Sequence, residues 1–118
     1  MDQHEEKSLK FESVIMNYWN TKMLETKFKF LLALTENGIS QKDFDFSLIE
    51  SEYFYDFRNE MDSLWEKKKK QIYNNLPLDA SEGRVKYECH VVFYNIIQPE
   101  YVEFRKKILK DFNTKSPL

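Results

Sequence analysis

The chain has 118 residues, of which 42% are hydrophobic and 32% charged, and a formal net charge of −2. That is one domain's worth of chain with enough apolar content for a core. Only 2 Gly and 3 Pro are present, which excludes collagen-like and linker classes and argues against an all-β domain with its many positive-φ turns.

No apolar run approaches a membrane span, and the opening Met1-Asp2-Gln3-His4-Glu5-Glu6 is acidic and polar where a signal peptide is basic and then apolar. The single Cys89 cannot form an internal disulfide, which fits a reducing compartment. The expectation is a cytoplasmic protein with no membrane contact.

In chain order, residues 7–37 show helical spacing through Phe11, Val14, Ile15 and Tyr18, then Leu24, Phe28, Leu31 and Leu32. Asn20-Thr21 leaves open whether this is one helix or two. Asn37-Gly38 ends it, because Gly takes a left-handed C′ position without a Cβ clash. Ser40 with Asp43 resembles a capping box, and Ile39 and Phe44 stand at the staple positions. A short turn over 41–46 is expected next, and a second box, Ser47 to Glu50, then opens a long helix to about Asn74, with apolar positions at Ile49, Tyr53, Phe57, Met61, Leu64, Ile72 and Leu76. Pro77 stops it.

Residues 77–83 read as a loop, with Asp79 and Glu82 as a third possible box. Residues 85–97 fit both strand alternation and a helix face. They are assigned to helix, because no other segment offers a partner strand. Pro99 suits the first turn of a last helix over 99–112, with Tyr101, Phe104, Ile108 and Phe112 on one face. The fold expected is all-α: a single domain over 1–118, frayed at 1–6 and 113–118, forming an antiparallel bundle of four or five helices.

Charge is unevenly laid out. Residues 39–66 hold eight acids against two bases, and residues 67–118 hold six acids against eleven bases. Within the acidic stretch, Glu52, Asp56 and Glu60 fall at i, i+4 and i+8, on one helix face. Tyr53, Phe54, Tyr55, Phe57 and Trp65 stand among them. Tyr53-Phe54-Tyr55 sweeps about 200° of helix, so at least one of these rings points away from the core.

Acids around an aromatic anchor suit a protein that plugs a basic groove: carboxylates steer encounter, and a buried ring supplies the hot spot. The leading expectation is therefore a binding module, an inhibitor or immunity-type protein that neutralises a basic toxin or nuclease. Glu52, Tyr53, Asp56, Glu60 and Asp62 would form its contact surface. The plainer alternative is a solvated acidic face with its aromatics in the core. Lys67 to Lys70 point all round their helix and read as a solvated helix end.

Catalytic motifs are sparse. There is no Gly-x-Ser-x-Gly turn, no phosphate-cradling Gly-rich loop and no Glu-x-x-His pattern of di-iron bundles. Adjacent Cys89 and His90 point about 100° apart on a helix and cannot share one metal ion or act as nucleophile and base. No cofactor or metal is expected. Arg84 and His90 form an Arg-x5-His pair, which resembles the motif of HEPN ribonucleases, small all-helical domains. The resemblance covers two residues, and Val85 stands where that family usually has a polar residue. It implies a helical ribonuclease acting as a dimer, with His90 as acid-base and Arg84 on the phosphate. A structural subunit of a larger complex is the third reading.

Overall fold

The computed structural model describes residues 2–39 and 45–115. The Ser40–Asp43 box and the Phe44 side of the staple fall outside these. Among the described residues there is no strand, and the helices are three in number rather than four or five.

The first helix, Gln3–Glu36, is unbroken at Asn20-Thr21. It starts inside the stretch expected to fray, because Asp2 caps it: Asp2 Oδ1 accepts from Glu5 N–H at 2.8 Å. Its other end is a Schellman turn. Gly38 takes φ +83°, its N–H donates to Thr35 O and the Ile39 N–H donates to Leu34 O, each at 3.0 Å. Ile39 is buried beside it.

The second helix covers residues 46–75. It comprises Phe46–Ile49, a π-turn at Glu50–Phe54, and Tyr55–Asn75. The observed cap is Asp45, whose Oδ1 accepts from Ser47 N–H at 2.9 Å, not the Ser47 box. The π-turn matches the burial pattern. Ile49 and Phe54 are both buried and stand five residues apart, a spacing that i→i+5 hydrogen bonding keeps on one face.

The third helix covers residues 82–115, joining Glu82–Val92, a second π-turn at Phe93–Ile97, and Gln98–Lys115. Ser81 caps it, with Oγ accepting from Arg84 N–H at 3.1 Å, so the Asp79 box is not used. Pro99 does not open a new helix. Its ring crowds the carbonyl four residues back, at Asn95, and the π-turn lies across that residue. The turn also solves a phase problem. Val85, Cys89, Phe93, Ile97 and Tyr101 are all buried at a spacing of four, and a regular α-helix drifts about 40° per such step.

The second helix runs antiparallel to the first: Glu12 meets Lys69, Trp19 meets Asp62, and Lys27 meets Glu50. The third runs parallel to the first, with Tyr18 beside His90 and Phe30 beside Phe104. This up-down-up arrangement makes a rod of 61 × 20 × 20 Å. Its length follows from the first helix, whose 34 residues span about 51 Å at 1.5 Å each.

Aromatics carry much of the core. Trp19 stacks on Trp65 with ring centres 4.6 Å apart, and Phe57 stacks on Phe104 at 4.5 Å. Phe30 and Phe54 pack at 5.9 Å. No helix among the described residues is long and apolar enough to cross a membrane.

Candidate functional site

The Phe57–Phe104 stack sets the register between the second and third helices. Above it lies an open groove of about 400 Å³. Glu52, Asp56 and Glu60 line one wall, and Glu100 and Glu103 line the other. Tyr53, Phe57, Met61, Phe104 and Ile108 form the floor, with Lys107 as the cation among the described lining residues.

Sequence spacing alone places Glu52, Asp56 and Glu60 together. It does not find Glu100 and Glu103, which sit in a segment whose balance is basic. Only the interhelical register brings them across from the first three. No salt bridge among the described residues engages Glu52, Asp56, Glu60 or Glu100. Glu103 lies 3.6 Å from the exposed Lys106. The groove therefore holds a concentrated negative potential over an apolar floor, which attracts cationic groups.

Tyr53 is half-buried, with its ring edge-on to Phe112 at 5.9 Å, and so is already partly held by the core. The ring that points away is Tyr55, 54% exposed. Asp62 does not join the groove. Its Oδ1 accepts from Trp19 Nε1 at 2.6 Å and lies 3.7 Å from Arg58 Nε, on the flank facing the first helix.

Arg84 and His90 engage different partners. Arg84 donates through Nε and Nη2 to Glu88 Oε1, at 3.1 and 2.9 Å, and through Nη2 to the Asn75 carbonyl at 3.3 Å. His90 Nδ1 lies 3.0 Å from Tyr18 Oη, on the first helix. Six residues of helix separate them by about 9 Å of rise and 120° of rotation.

No family model, curated protein or solved structure matches this chain. The reading of function therefore rests on geometry.

Cys89 is fully buried, and burial, with Glu88 adding to it, pushes its thiol up to about 12, so it is a protonated packing residue at neutral pH. Burial likewise raises Tyr18 above the ordinary phenol range. Among the described residues no group of three or more His, Cys, Asp or Glu side chains is gathered so that it could hold a metal ion.

Proposed function

We propose that this protein is a binding module whose acidic groove takes a basic segment of a partner protein. The observation that carries this reading is the convergence of Glu52, Asp56, Glu60, Glu100 and Glu103 on one apolar-floored groove. Carboxylates that repel one another in the free protein are paid for by a ligand that neutralises them. Lys and Arg stems lie on Phe57 and Met61 while their heads pair with the walls. The partner class that fits is a basic protein, such as a nuclease or toxin whose own surface is built for phosphates, and the module acts by occupying that surface.

The test is capture from native lysate by tagged wild type and by an Asp56→Lys, Glu60→Lys variant, at low and high salt. The expected result is a basic protein held by wild type, released by salt, lost in the variant and retained by a Glu5→Lys, Glu6→Lys control, which changes the net charge by the same amount in the first turn of the first helix, away from the residues lining the groove. Capture that survives the double charge reversal would overturn the reading.

A further inference from the structure

The outward face of the first helix is apolar and symmetric about one residue. Leu24, Phe28 and Leu32 are 47%, 59% and 57% exposed, and Thr21 and Thr35 are exposed beside them. Counted from Phe28, these five stand at −7, −4, 0, +4 and +7, steps that keep them within about 80° of helix rotation. The core residues of the same stretch, Met23, Phe30 and Leu34, are fully buried on the helix's other side. The second and third helices therefore leave this face uncovered. Exposed apolar side chains gathered in this way mark an interaction surface, whereas single ones do not.

Symmetry and charge select the occupant. An antiparallel copy of the same helix, centred on Phe28, presents the same order of side chains. Thr21 meets Thr35, Leu24 meets Leu32 and Phe28 meets Phe28 across a twofold axis. The mean spacing of about 3.5 residues is that of helices that pair nearly side by side. Glu25 and Lys29 flank the face on one side, and in an antiparallel pair like flanks adjoin. Each Glu25 then falls within a turn of the other copy's Lys29, and the four charges sum to zero. Glu25 pairs with Lys22 of its own helix, and no salt bridge among the described residues engages Lys29. An anionic bilayer suits the face less: Glu25 and Glu36 border it, and Lys27 is engaged by Glu50 of the second helix.

We propose that this protein forms a twofold antiparallel dimer through the outward face of its first helix, with Phe28 on the axis and Leu24 packed on Leu32 of the second copy on either side. None of the five residues lines the acidic groove, so the dimer carries two open grooves. The contact is at the small end of specific interfaces, and half of the protein is dimeric at about 100 µM.

The experiment is sedimentation velocity on the full chain from about 5 to about 500 µM, a range that spans that value. Wild type shifts from monomer to dimer across it. Phe28→Lys sets two cations on the axis and raises the dissociation constant about tenfold or more, with the melting temperature unchanged because the residue is exposed. Glu25→Lys fills the flank with lysines and Lys29→Glu fills it with glutamates. Each weakens the dimer several-fold, and the double swap Glu25→Lys, Lys29→Glu restores it. Disulfides read the orientation: Thr21→Cys mixed with Thr35→Cys cross-links under mild oxidation, Thr21→Cys alone does not, and the buried Cys89 stays out of both. Wild type that remains monomeric to the highest concentration overturns the proposal, whether or not it then floats with phosphatidylserine vesicles. So does dimerisation that Phe28→Lys leaves intact, a double swap that restores nothing, or Thr21→Cys that cross-links to itself in preference to Thr35→Cys.

Discussion

Trp19 and Asp62, 43 positions apart in the chain, are joined by a 2.6 Å hydrogen bond from the indole Nε1 to the carboxylate Oδ1. The indole ring is buried, stacked on Trp65, so this bond ties the first two helices at mid-rod. It also explains why one acid of the middle segment is structural while its neighbours Glu52, Asp56 and Glu60 face the groove.

Asp62→Ala leaves a buried indole N–H without its acceptor. The expected cost is about 1–3 kcal/mol of unfolding free energy. Urea titration followed by tryptophan fluorescence measures it. Asp62→Asn, which keeps an acceptor oxygen, recovers most of the loss. Neither change alters partner capture, since Asp62 lies outside the groove; a matching loss of capture without loss of folding would put Asp62 back in the contact surface.

The groove acids have the opposite sign. Glu60→Gln removes one of the like charges at i, i+4 from Asp56, and stability at low salt rises by about 0.2–0.5 kcal/mol. The gain shrinks as salt screens the repulsion. Paired thermal melts at low and high ionic strength give the comparison, and a drop in melting temperature would show that Glu60 is held by a favourable contact instead.

Gly38 sits at φ +83° with nothing within 4 Å of where a Cβ would stand. Its replacement cost is therefore purely conformational. Gly38→Ala loses about 1 kcal/mol, and Gly38→Asn loses less because Asn tolerates the left-handed region. Chemical denaturation of the two variants side by side decides it; equal, near-zero effects would mean the Schellman turn opens without cost.

Stability falls in alkali. The Cys89 thiol has a folded value of about 12 against 9.0 in the free state, and burial also raises the hydroxyls of Tyr18, Tyr73 and Tyr101. Above about pH 9 the unfolded chain loses the thiol proton while the folded chain keeps it, so unfolding gains. The thiol's contribution is full below pH 9 and is lost as pH rises toward 12, with a limiting slope of about 1.4 kcal/mol per pH unit for one group. Urea midpoints between pH 7 and 11 should decline from pH 9, and Cys89→Ala should flatten the first part of that decline. A flat profile in the wild type would show that Cys89 ionises in the folded state.

Local chemistry alone determined where this chain turns. Gly38 stops the first helix, Pro77 lies just past the second, and residues 77–81 separate it from the third, because a left-handed glycine and a proline act on their own backbone and need no partner. The helical face of Glu52, Asp56 and Glu60 is equally local, set by the α-helical period. Tertiary structure decided the rest. Whether Pro99 begins a helix or sits inside one depends on a π-turn that keeps Phe93, Ile97 and Tyr101 facing the other two helices. Which acids share a groove depends on the Phe57–Phe104 stack, which carries Glu100 and Glu103 out of a basic segment to face the acids of the second helix. Asp62 was drawn the other way by a single indole N–H. Period and turn signals reach a few residues along the chain, whereas register between helices is chosen by how large rings interlock, and that choice assigns each charge its neighbours.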